Sequence, residues 1–305
     1  MMLKSPLHKC LVLCGFLLLC PAMFISCLCC DPDSGQEEKS PYIARVFDYC
    51  PAPGQFVNVI PAANEGDTKD AVLARAEDLL VGSVNTGMVS LGAWGGYIVV
   101  GFDHAIVNEP DTVDFKIYGN AYEGNAEPGI VMVSADENGN GLPDDAWYEL
   151  RACEYENPEV IHQYRCVYYR PDSLNADIYW VDNQGESGFV SRNQYHKQAY
   201  YPCWEVADSL VFEGARLPST SYQEGSTFKS PAFDWGYADN VPNQSSAACF
   251  DIDWAVDKFG KAVKLNQINF VKVYTAQQQS LGWIGETSTE ITGMEDLHFD
   301  ASSQL

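Results

Sequence analysis

Twelve residues near the middle of the chain, Asp136-Glu-Asn138-Gly-Asn140-Gly141-Leu142-Pro-Asp144-Asp145-Ala-Trp147, carry the sharpest chemical pattern in the sequence. Oxygen-bearing side chains fill the first, third, fifth and ninth places, and glycine fills the sixth. Ca2+ takes roughly six to eight oxygens, and alternate residues of a tight loop turn theirs to one centre; Gly141 allows the turn and the Leu142 carbonyl adds a ligand. The twelfth place holds Trp147 where an EF-hand has its bidentate glutamate, so Asp145 or Glu149 would have to complete the shell. The same residue types favour turns that hold no metal. The segment is therefore either a structural calcium loop built from Asp136, Asn138, Asn140, Leu142, Asp144 and Asp145, or a metal-free turn.

A second pattern is aromatic. Tyr195-His196, Tyr200-Tyr201 and Trp204 crowd one stretch, Trp235 and Tyr237 follow in Phe233-Asp-Trp-Gly-Tyr237, and Trp254 and Trp283 come later. Rings in turn-rich sequence, mixed with Asp, Asn and Gln, suit ligands with flat or ring-shaped faces through stacking and hydrogen bonding. On that reading Tyr195, His196, Tyr200, Tyr201, Trp204, Trp235, Tyr237 and Trp283 bind a ligand; the competing reading is that such rings pack the core and the loops. Catalytic signatures are missing. The sequence has no Gly-x-Ser-x-Gly elbow, no phosphate loop and no dinucleotide fingerprint, and His104, His162, His196 and His298 stand at no zinc-binding spacing. Asp251 and Asp253 share one face of a strand, yet such pairs are common in so acidic a chain. The expectation is a protein that binds without transforming.

The elements that must hold these residues are mostly strands. From about residue 42, short apolar runs alternate with Gly, Pro, Asn and Asp, the pattern of strands joined by turns. One helix interrupts them: Asp67-Thr68 caps a run from Lys69 to Leu80 with apolar residues at helical spacing, and Gly82 stops it. The count of strands predicts an all-β, antiparallel two-sheet β-sandwich, jelly-roll-like, with one short helix and long inserted loops over about 153–245. With 46% hydrophobic and 12% aromatic residues among 305, the chain can close a substantial core. Lys+Arg 18 against Asp+Glu 42, a net charge of −24, excludes nucleic-acid binding through clustered basic residues.

The first 26 residues read as a secretory leader. Lys4 and Lys9 precede an apolar run from Leu11 to Cys20, and Pro21 interrupts it, which argues against the alternative of a transmembrane anchor. Phe24-Ile-Ser-Cys27 resembles a bacterial lipobox, with Cys27 as the lipidated residue and Cys29 or Cys30 as fallbacks. Two or three acyl chains on one cysteine exceed what stable membrane anchoring needs. Residues 27–41 form an acidic, flexible tether, and residues 42–300 form a single binding domain. Five cysteines remain in that domain: Cys50, Cys153, Cys166, Cys203 and Cys249. Cys153 and Cys166 are placed to bridge an excursion; otherwise all are free thiols.

Longer blocks carry a family likeness. Ser90-Leu-Gly-Ala-Trp-Gly-Gly-Tyr-Ile-Val-Val-Gly-Phe-Asp-His104, Asp114-Phe-Lys-Ile-Tyr-Gly-Asn120, Glu127-Pro-Gly-Ile-Val-Met-Val-Ser134 and the Asp136 loop look like secreted bacterial jelly-roll domains of galactose-binding-like type. With Asp182-Asn-Gln-Gly185, Ala232-Phe-Asp-Trp-Gly-Tyr-Ala-Asp-Asn240, Phe250-Asp-Ile-Asp-Trp254 and Gly282-Trp-Ile-Gly-Glu-Thr-Ser-Thr-Glu290, they resemble a gut Bacteroidetes cell-surface lipoprotein family over nearly all of residues 42–299. The acidic tether is similar to the stretch that follows the lipid-bearing cysteine in surface-exported lipoproteins of that group. The resemblance implies an outer-membrane lipoprotein facing the cell exterior that binds cobalamin (vitamin B12) and passes it to an outer-membrane transporter. A glycan-binding lipoprotein on the same fold and a carboxylate-dependent glycoside-active enzyme are the alternatives.

Overall fold

The computed structural model describes residues 39–300, so the leader, Cys27 and most of the expected tether lie outside the described residues. The described residues form an all-β fold of several antiparallel sheets, with no barrel among them. In chain order the first strands are β1 (Arg45–Cys50), β2 (Val89–Ser90), β3 (Tyr97–Val107), β4 (Phe115–Tyr118), β5 (Gly129–Ser134), β6 (Tyr148–Leu150), β7 (Ile161–Tyr169), β8 (Ile178–Asp182) and β9 (Ser187–Val190). They continue as β10 (Ser209–Arg216), β11 (Tyr222–Glu224), β12 (Thr227–Lys229), β13 (Cys249–Phe250), β14 (Ala255–Val256), β15 (Gln267–Thr275), β16 (Glu290–Ile291) and β17 (Gly293–Asp296). One α-helix, α1 (Lys69–Leu80), occurs among the described residues, over the span its apolar spacing predicts. The Thr68 side chain caps it by accepting from the Ala71 amide at 3.2 Å.

The principal sheet runs β1-β3-β15-β5-β6-β14. Strand alternation sends Ile98, Val100, Val131, Val133, Val271 and Val273 to one face, where they meet the small sheet β13-β4-β17 and helix α1. Phe115 and Phe250 stack there at 5.4 Å between centroids, and Val72, Ala76 and Leu80 of α1 seal the side. Tyr97, Met132, Glu149, Lys272 and Tyr274 are left on the opposite face.

That opposite face does not open directly to solvent, because a second sheet, β10-β7-β8-β9, stands over part of it. The stretch expected as long loops over 153–245 in fact supplies this sheet. Its own core explains why it folds: Trp94, Tyr164, Tyr168, Tyr200, Tyr201 and Phe212 are buried together beneath it. Trp94 meets Tyr164 edge to face at 4.5 Å and donates from Nε1 to the Ala215 carbonyl at 3.1 Å. Burying one such ring stabilises by ~1.5–3 kcal/mol. Cys166 is buried and Cys153 partly buried, both as free thiols, so no bridge joins them. Among the described residues no helix is long and apolar enough to cross a membrane.

Candidate functional site

Where β10 of the second sheet approaches the outer face of the principal sheet, a cleft of about 860 Å³ opens. Its floor is Tyr97, Met132, Glu149, Lys272 and Tyr274, one wall is Val211–Ala215, and the turn Asp257–Gly260 forms another wall. Two bonds fix the first wall: the Tyr274 hydroxyl accepts from the Ala215 amide at 2.9 Å, and the Ala215 carbonyl takes the Trp94 indole. Asp257 holds the turn by accepting from the amides of Phe259 at 2.9 Å and Lys261 at 3.0 Å, which leaves the Phe259 ring 83% exposed at the rim. Trp147 and Tyr155 add further rings. The volume falls in the range of small-molecule sites, about 300–1,000 Å³.

The cleft also holds two titratable groups under strain. Among the described residues the Glu149 carboxyl makes no hydrogen bond or ion pair, and burial pushes it up to about 7. Burial likewise lowers the Lys272 ammonium, which rests 4.1 Å from the centroid of the Tyr97 ring. Perturbed groups in a ring-lined cleft make it a candidate functional site. Sequence reasoning named Glu149 only as a possible calcium ligand and missed Lys272, because the two lie on outward faces of strands far apart in the chain. The only local signal was a lysine and a glutamate inside otherwise apolar strand segments.

The rings singled out from the sequence do not converge on one site. Tyr200 and Tyr201 are fully buried, and Trp204 and Tyr237 nearly so, which makes these four packing residues rather than a presented surface. Loop anchoring explains it: Asn58 donates to the carbonyls of Ala199 and Tyr201 at 2.8 and 2.9 Å and accepts from the Cys203 amide at 2.9 Å. His196 is partly buried edge-on against Phe56 at 4.6 Å. Trp235 is exposed beside Trp254 at 4.7 Å. Only Tyr195 and Trp283 meet each other in the open, with centroids 6.1 Å apart.

The Asp136 loop connects β5 to β6 and closes on itself. Asp136 accepts from the amides of Asn140 and Gly141 at 3.0 and 2.8 Å, while Asn138 and Asn140 direct their amide groups at Asp144 at 2.9 and 3.0 Å. Asp145 accepts from the Glu137 amide at 3.0 Å. The predicted ligand side chains thus converge within one loop, with the Asn138 and Asn140 side-chain oxygens accepting from the Asn140 and Leu142 amides at 3.0 and 2.8 Å. The Leu142 side chain is exposed.

A different acidic cluster was not foreseen. Side-chain oxygens of Glu127, Asp239 and Glu290 lie within 4.8 Å of one another, a group that could hold a metal ion. Asp239 and Glu290 are buried and Glu127 partly so. Asp239 accepts from the amides of Asn120, Ala121 and Glu290 at 2.7, 2.8 and 2.9 Å. Burial and the neighbouring carboxyls push Glu127 and Asp239 up to about 8 and Glu290 well above its ordinary range. The chain matches no family model, and no curated protein shows significant similarity to it.

Proposed function

We propose that this domain is a binding module that takes a ring-bearing small molecule into the cleft between its two sheets, that the ligand is cobalamin, and that the chain hands it on to an outer-membrane transporter from a lipid anchor at Cys27. The cleft is the observation that carries this reading: rings from both sheets and polar groups of the floor enclose one ligand-sized space. A corrinoid offers a broad face for those rings and amide-bearing rims for the polar groups. The choice of cobalamin rests on the family resemblance, and the cleft is the feature proposed to receive it. The Asp136 loop fits a structural Ca2+ in this scheme. It leads straight into β6, so an ion there would steady Trp147 and Glu149 at the cleft. Isothermal titration of the folded domain with cyanocobalamin tests the proposal, and saturable binding is expected. Absence of binding at micromolar concentrations overturns it.

A glycan is the second reading, favoured by the exposed Tyr195–Trp283 pair outside the cleft. Binding of surface glycans that is lost in Trp283→Ala would support it. Release of reducing sugar would instead point to the glycoside-active enzyme.

A further inference from the structure

We propose that Lys272 and Glu149 are the two poles of the cleft floor that select its ligand: a ring-bearing molecule with an oxyanion, phosphate or carboxylate, at one end and an N–H donor at the other. This rests on the reading of the cleft as a binding site and goes further by assigning its specificity. The register places the poles. Lys272 pairs with Met132 and Met132 pairs with Glu149, so the three form one row across β15, β5 and β6. Directly paired residues of antiparallel strands point to the same face. At about 4.8 Å per strand, the Cα atoms of Lys272 and Glu149 stand roughly 9.5 Å apart with the methionine between them.

Both side chains line the cleft, and among the described residues neither forms an ion pair; the Asp48 carboxylate, on the same face across Val99 and itself paired with Lys69 at 2.8 Å, acts on Lys272 only at longer range. The other acids of the cleft are engaged. Glu213 pairs with Arg165 at 3.2 Å, Glu156 pairs with Arg151, and Asp257 holds its own turn. Lys258 lies over the Phe259 ring at 5.1 Å on the rim, and His162 lies against Tyr155 at 4.7 Å. The floor therefore presents a donor pole, Lys272, met only by the Tyr97 ring face and the more distant Asp48, and an acceptor pole, Glu149, without a partner among the described residues. A partly buried charge without a partner is costly, and a ligand that supplies both partners recovers that cost.

Two fragments test the poles separately at pH 8 by chemical-shift titration of the full domain: phenyl phosphate and benzylammonium. Lys272→Met is expected to weaken phenyl phosphate tenfold or more and to spare benzylammonium. Glu149→Gln should do the reverse, and Lys272→Arg should retain phenyl phosphate binding, which separates lost charge from lost fold. Failure of both fragments to bind the wild type overturns the inference, as does equal weakening of both fragments by either substitution. Cyanocobalamin distinguishes this inference from the reading beneath it. If it fails to bind while the fragments obey the pattern, the poles stand and the ligand's identity falls. If it binds with affinity unchanged in Lys272→Met and Glu149→Gln, the binding module stands and the poles fall.

Discussion

Replacing Asp239 tests whether the buried carboxyl cluster is a structural hub. Its two oxygens accept three backbone amides, from Asn120, Ala121 and Glu290, which tie three separate segments together. Asp239→Ala orphans all three donors, each at about 1–3 kcal/mol when buried. Asp239 also has φ +50, a left-handed conformation that Asp and Asn tolerate and alanine does not, adding about 1 kcal/mol. After some relaxation the loss should total about 4–6 kcal/mol, a fall in Tm on the order of 10–20 °C for a domain of this size. Asp239→Asn behaves differently. Burial already favours the protonated, neutral acid, which asparagine mimics in shape, charge and backbone preference. It keeps an acceptor for Asn120 and Ala121 and sacrifices only the bond from Glu290, so the loss should be about 1 kcal/mol. Urea unfolding at pH 7 measures both. A loss below about 1.5 kcal/mol in Asp239→Ala, or equal losses in the two variants, would refute the reasoning.

The raised carboxyls set a pH trend. Glu127 and Asp239 are held up to about 8 and Glu286 and Glu149 up to about 7, chiefly by burial, against about 4 in the unfolded chain. The folded state therefore binds more protons between these values, and these groups make stability fall as pH rises from about 5 to 8. A Tm that rises over that interval, followed by differential scanning fluorimetry, would contradict the assignment. Calcium should raise the Tm of the wild type, EDTA should reverse the gain, and Asp144→Ala should abolish it; a thermal response to calcium that survives the substitution places the ion elsewhere. Gly92→Ala should cost more than 3 kcal/mol, because at φ +73 its Cβ would lie 1.9 Å from the Ala52 carbonyl oxygen, whereas Gly139→Ala, at φ +72 with open space around it, should cost only about 1 kcal/mol in the same urea assay.

Helix α1 was legible in full because its cap and its apolar spacing are local, and the all-β class was legible because alternation needs only a few residues to show, whereas strands such as β1, β9 and β17 were not picked out. The second sheet was harder. Its strands lie in the stretch read as inserted loops, and nothing local says that Trp94, some seventy residues away in the chain, would lie beneath them and give them a core. The loop aromatics misled for a related reason. Turn-rich sequence suggests a surface, yet Asn58 reaches across to pin the backbone at 199–203 and draws Tyr200 and Tyr201 inside. Glu149 and Lys272 become neighbours only through the register of β15, β5 and β6, which no spacing along the chain encodes.

That register also bears on how tightly the cleft can hold a ligand. Its floor lies on central strands of the principal sheet, and its facing wall is fixed at Ala215 on both the amide and the carbonyl side. Little backbone has to be ordered when a ligand arrives, so less of the contact energy is lost to entropy. Glu149 has already given up much of its hydration in the folded chain without gaining a partner among the described residues, and Lys272 has done so against only the Tyr97 ring face and the more distant Asp48. Desolvating them on binding therefore adds little further cost, and a ligand carrying the two complementary groups is rewarded at both ends. A ligand carrying one such group leaves the other pole unpaired. Selectivity in this cleft then follows from the spacing of two side chains on a rigid sheet more than from the number of rings around them.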